Sequence, residues 1–145
     1  MTSIDSRLFV LREPSQQQIQ VYDTKEFTQQ RALQVKDLSD DTTCSGLTSC
    51  VTNNCVYVSD TDKKTVYKVE LSGNNQVFSW CVDGDPQGLS INTACNLLVA
   101  CCGANKIVEY TASGSLVREI CLKSNDVVLS PYHAIQLISD QFVVS

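Results

Sequence analysis

The residues with the means to do chemistry are loop carboxylates, one histidine, a few cations and eight cysteines. Asp60, Asp62, Asp83 and Asp85 sit in polar, turn-like stretches, where aspartate commonly bonds its own backbone. His133 is the only histidine. A catalytic base needs a nucleophile within reach, and none can be placed beside it, so a hydrogen-bonding structural role is expected. The cysteines are Cys44, Cys50, Cys55, Cys81, Cys95, Cys101, Cys102 and Cys121. None forms a CxxC pair, so zinc-ligand spacing is absent. Cys50, Cys55, Cys81 and Cys121 lie in or beside apolar runs and read as buried, reduced thiols; a disulfide framework is the alternative. Redox activity at Cys101-Cys102 would need cationic neighbours, and only Lys106 is close in sequence.

Something must position these groups, and the chain shows what by repeating itself. Gly46-Leu47-Thr48 returns as Gly88-Leu89-Ser90, 42 residues on. Val56-Tyr57-Val58 returns as Leu97-Leu98-Val99, and Val66-Tyr67-Lys68-Val69 as Ile107-Val108-Glu109-Tyr110, both 41 residues on. Ser72-Gly73-Asn74 returns as Ser113-Gly114-Ser115 at the same spacing. A third copy opens at His133-Ala134-Ile135 and reaches Phe142-Val143-Val144; an earlier one is visible in Leu8-Phe9-Val10 and Ile19-Gln20-Val21-Tyr22.

Short β-branched and aromatic runs joined by Gly, Asn, Asp and Ser turns predict an all-β fold. A period of 41 to 42 residues with four strands per unit predicts a partial β-propeller of about three four-stranded antiparallel blades. Each blade buries its faces only against neighbours. The single domain over 1–145 divides into blades near 7–40, 45–85 and 87–129 and an incomplete one at 132–145. Residues 1–6 are expected to fray. The segment from Phe27 to Leu38 contains helix formers, but the repeat register places a fourth strand there, over Arg31 to Leu38.

The chain has 145 residues, a net charge of −5 and 43% apolar residues, with mean hydropathy of −0.07. These values suit an ordinary folded domain. No apolar run approaches the ~20 residues of a membrane-spanning helix. Met1 to Ser6 carries no basic or apolar leader region, so a cytoplasmic chain is expected. The negative balance disfavours a wholesale nucleic-acid footprint.

Pro86-Gln87-Gly88-Leu89-Ser90, Leu97-Leu98-Val99, Lys106-Ile107-Val108-Glu109-Tyr110 and Ser113-Gly114 resemble an NHL repeat, as do Val56 to Asp60 and Thr65 to Val69. The Asp that follows the second strand is Asp60 in one copy and Cys101 in the next. The resemblance implies a propeller of the kind found as the C-terminal recognition domain of tripartite-motif ubiquitin ligases, which binds proteins or RNA. Such a ring needs more blades than this chain supplies. Either further C-terminal blades of a longer protein close it, or a homodimer does, with Ala134 to Ile138 of one copy completing a three-stranded first blade in the other.

Lys63, Lys64 and Lys106 fall in loops between second and third strands, and Arg12 in the corresponding first loop. Loops at one place in successive blades share a face. The expected function is therefore a non-catalytic scaffold that holds a protein partner, or alternatively RNA, on Arg12, Lys63, Lys64, Asn105 and Lys106. No membrane contact and no cofactor is expected. Trp80 is expected to pack between blades. A metal-dependent propeller hydrolase is the enzymatic alternative. Calcium takes six to eight oxygens from several segments, and the channel-lining strands offer Thr48, Ser90, Asn92 and Gln136 but no acid.

Overall fold

A computed structural model describes residues 1–11, 17–39, 46–122, 130–136 and 141–145. Within them the chain forms four antiparallel sheets. The first holds β1 (Thr2–Ile4), β2 (Arg7–Leu11), β3 (Gln18–Asp23) and β4 (Gln29–Gln34). The second holds β5 (Leu47–Cys50), β6 (Cys55–Asp60), β7 (Thr65–Glu70) and β8 (Val77–Cys81). The third holds β9 (Pro86–Ile91), β10 (Leu97–Cys101), β11 (Lys106–Tyr110) and β12 (Leu116–Cys121), and the last β13 (Ala134–Gln136) and β14 (Phe142–Val144). Strand order in each follows chain order. The innermost strands β1, β5, β9 and β13 lie side by side in turn. This is a β-propeller, seen over three full blades and half of a fourth.

Alternation along the central strands builds the cores. Val56 and Val58 point into the first core with Phe9, Ile19 and Val21. Tyr57, between them, points into the second with Leu97, Val99 and Val108. Leu98 and Ile107 turn the other way, into a third core with Ala134, Phe142 and Val144. A central strand that serves two cores is buried along its length: every residue of β6 and β10 is buried, with Ser59 and Asp60 at the end of β6 satisfied by hydrogen bonds.

Two glycines mark where successive blades approach most closely. A Cβ on Gly46 would stand 2.3 Å from the Gln87 carbonyl oxygen, and one on Gly88 would stand 2.2 Å from that of Tyr132. The repeated Gly-Leu-Thr/Ser is thus a crossing point between innermost strands. Ser59 stitches the first crossing: its Oγ accepts from the Gly46 amide at 2.8 Å and donates to the Gln87 carbonyl at 2.7 Å.

Two expectations need correction. Thr2 to Ile4 is a strand, paired Thr2↔Phe9 and Ile4↔Arg7, and Ile4 is buried in the first core. The turn at Asp5-Ser6 folds it back, with Asp5 in the left-handed region at φ 52. The first sheet therefore has its own inner strand, and a second copy's Ala134 to Ile138 has no place there to fill. The outer strand of that sheet, expected over Arg31 to Leu38, lies at Gln29–Gln34; Val35 and Leu38 follow it and are buried.

Candidate functional site

The loops between second and third strands, at Thr61 to Lys64 and Cys102 to Asn105, stand with Asp37, Ser39, Asp83 and Asp85, described residues of the connectors between blades. Asp60, buried at the end of β6, organises this region. Its carboxylate accepts from the Ser39 amide at 2.8 Å, the Ser39 hydroxyl at 2.9 Å and the Lys63 amide at 3.0 Å. One buried side chain thereby fixes both the turn and the connector that precedes β5.

The cations of this face differ from one another. Lys63 Nζ donates to the Asp37 carbonyl, which also accepts from Tyr67 Oη at 2.8 Å. Lys64 is exposed, with Nζ 3.4 Å from Asp85 Oδ1. Lys106 is buried, and Nζ meets Asp83 Oδ2 at 2.8 Å and Glu119 Oε1 at 2.9 Å. Burial alone would lower its amine; the hydrogen bonds from these two carboxylates outweigh that and raise it above the ordinary lysine value. The same bond holds Asp83 below the usual carboxylate value. Lys106 is therefore an internal strut and presents no charge to a ligand. Asn105 is a turn residue at φ 49, and its carbonyl accepts from Leu122 N at 2.9 Å. Arg12 lies outside the described residues.

The two exposed lysines point to different connectors, Lys63 to Asp37 before the second blade and Lys64 to Asp85 after it, and Lys106 is withdrawn. Beside Asp37 and Tyr67 runs a hollow of about 380 Å³ between the first and second blades, lined by Gln34, Lys36, Asp37, Tyr67, Asn75, Val77 and Ser79. A second groove, about 290 Å³, lies between the second and third blades along Lys68, Glu70, Phe78, Trp80, Ala112 and Ser113. There Lys68 Nζ is 3.1 Å from Glu70 and 5.6 Å from the centre of the Phe78 ring. Phe78 and Trp80, two residues apart on β8, share a face by strand alternation, the signal from which this aromatic wall could have been read. Trp80 packs between blades as expected, with ring centres 6.3 Å from Tyr57 and 5.8 Å from Tyr110.

The remaining reactive groups are the histidine and the thiols. His133 pairs through its backbone with Ser145 in both directions at 3.0 Å. All seven described cysteines are free. Cys50, Cys55 and Cys101 are buried, but Cys81 and Cys121, on outer strands, are exposed, contrary to expectation. Cys44 lies outside the described residues. Burial pushes the Cys101 thiol up to about 12, so it carries almost no thiolate at neutral pH. Among the described residues no three His, Cys, Asp or Glu side chains are grouped to hold a metal ion, and no helix is long and apolar enough to cross a membrane.

No known family model matches this sequence, and no curated protein matches it. Solved structures do. Virginiamycin B lyase from Staphylococcus aureus superposes with a TM-score of 0.77 at 13% identity, over 96% of this chain and 45% of its own. Kuenenia stuttgartiensis hydrazine synthase gives 0.73 at 18%, over 92% and 37%. The dihydro-heme d1 dehydrogenase NirN gives 0.71 at 18%, over 99% and 31%. The chain spans less than half the length of each. At such identities the likeness is one of fold, the β-propeller, and carries no activity with it.

Proposed function

We propose that this chain is an NHL-type propeller unit that acts as a non-catalytic scaffold, holding an extended segment of a protein partner. The segment lies across Lys63 and Lys64 and lowers side chains into the hollow between the first two blades. The observation that carries this reading is adjacency: the Lys63 ammonium, the Asp37 carbonyl and the Tyr67 hydroxyl meet at the rim of that hollow. Cations beside acceptors, with Tyr67 and Val77 within reach, make the mixed polar and apolar surface that protein interfaces use. Phosphate binding is less well supported, because Lys64 already faces Asp85 and Lys106 is neutralised internally. NHL character is supported by the quoted repeats and by a fold of the matching kind.

Panning a random peptide display library against the chain tests this. The expected result is an enriched peptide family whose binding falls at least about tenfold, or ~1.4 kcal/mol, in the Lys63→Glu/Lys64→Glu variant. Failure to enrich any peptide, combined with filter retention of a random single-stranded RNA pool that the same variant abolishes, would replace this reading with RNA binding.

A further inference from the structure

The three interfaces inside the molecule follow one rule. The middle residue of each second strand inserts against a flanking pair on the next second strand. Phe9 meets Val56 and Val58. Tyr57 meets Leu97 and Val99. Leu98 meets Phe142 and Val144. Two parts of this pattern have no counterpart. Val143, the middle residue of β14, is 51% exposed, and its cross-strand partner Ile135 is 47% exposed. At the other end Leu8 and Val10, the flanking pair of β2, line an open apolar groove of about 370 Å³ with Tyr22 and Phe27. The equivalents of these residues elsewhere, Tyr57, Leu98, Val56, Val58, Leu97 and Val99, are at most 1% exposed.

Phe27 adds an independent sign. It is 70% exposed and sits at φ 53, a left-handed conformation that a bulky side chain adopts at a cost. The corresponding turn of the second sheet places Asn75 there, at the same φ 53, and asparagine tolerates that conformation. A strained, exposed aromatic beside an unfilled apolar groove marks a contact residue.

We propose that the two ends are halves of one interface and that a second copy of this chain fills them, Val143 and Ile135 of each copy seating against Leu8, Val10 and Phe27 of the other. The occupant is a second copy because the required neighbour is defined residue by residue. The open end needs a flanking apolar pair on a second strand, and the chain's own β2 supplies one. The contact continues an interface already made three times within the chain. It is heterologous, so it closes only if the rotation brings the copies round. Each copy supplies three four-stranded blades and one two-stranded sheet, so two supply six full blades and two halves, within the four to eight blades that propellers take. His133 fits this arrangement. It replaces the glycine at the crossing point, so the next innermost strand must stay clear of it. In β1, Thr2 lies opposite Phe9, at the level of Thr48 opposite Tyr57, below the crossing.

Sedimentation equilibrium at about 50 µM chain, far above the dissociation constant of a specific contact, tests the proposal. The expected particle has twice the 16.0 kDa of one chain. Val10→Glu and Val143→Glu should each sediment as monomers with native circular dichroism. Mixed in equal amounts they should re-associate, since one intact seam remains. Phe27→Asn relieves the strained turn, so it should melt no lower than the parent while its self-association weakens about tenfold, as for an aromatic anchor. A monomeric parent would overturn the proposal. So would a dimer indifferent to both glutamates, a mixture that stays monomeric, or a mass that climbs without limit.

Discussion

Gly46 and Gly88 show what single residues decide in this fold. Each stands where a neighbouring strand's carbonyl leaves no room for a methyl group. Gly46→Ala is expected to lower stability by about 2–3 kcal/mol in urea unfolding, as overpacking against rigid backbone does. Gly73 meets nothing within 4 Å, so Gly73→Asn, which keeps access to its left-handed turn, should change stability by under about 0.5 kcal/mol. The thiols divide in the same way. Cys81 and Cys121 should react with Ellman's reagent in the native protein at neutral pH, whereas Cys50, Cys55 and Cys101 should react only on unfolding. Early reaction of Cys101 would contradict its burial. The repeated glycine was legible in the sequence; its reason, an approach between blades, was not, because it depends on a strand some forty residues away.

At the scale of elements, register explains which site residues were misread. Lys64 and Asn105 are equivalent turn residues, both left-handed at φ 50 and φ 49. Lys106 is therefore the first residue of β11, matching Thr65 and not Lys64. Alternation turns it to the same side as Val108 and Tyr110, into the interface with the second blade. A shift of one residue separates a surface cation from a buried strut. On the opposite side of β11, Glu109 is buried at 2.8 Å from Asn92 and Asn96 and 2.7 Å from Arg118. Burial pushes its carboxyl up, but the bonds from Asn96, Arg118 and Asn92 outweigh it and leave it below the ordinary 4.5. A depressed carboxyl stabilises the fold above its unfolded value and loses that contribution as pH falls through the folded one. The stability gap between the parent and Glu109→Gln should therefore be full at pH 7 and shrink below about pH 4.5. A gap independent of pH would show that the carboxylate charge plays no part. β1 escaped the sequence reading for a related reason: three residues are too few to show alternation.

For the whole molecule, stability rests on faces pressed between blades: among the described residues each core is shared by two neighbouring sheets. Leu97 lies fully buried in the second core. Leu97→Ala should cost about 2–4 kcal/mol and loosen the second and third blades together. The overall architecture was legible because a repeat of about forty residues states it several times over. The hollow at Asp37 was not, since it is assembled from two sheets whose separation no local pattern encodes.

The central claim is that successive sheets stack face to face around a common axis. Neighbouring residues Tyr57 and Val58 must then report opposite neighbours. Nuclear Overhauser spectroscopy on methyl- and aromatic-labelled protein reads this directly. The expected result is contacts from the Val58 methyls to Phe9 and Val21 but not to Leu97 or Val99, and from the Tyr57 ring to Leu97, Val99 and Trp80 but not to Phe9 or Val21. Contacts from both residues to the same neighbouring sheet, or from Phe9 to Leu97, would mean that the chain closes its sheets in some other way.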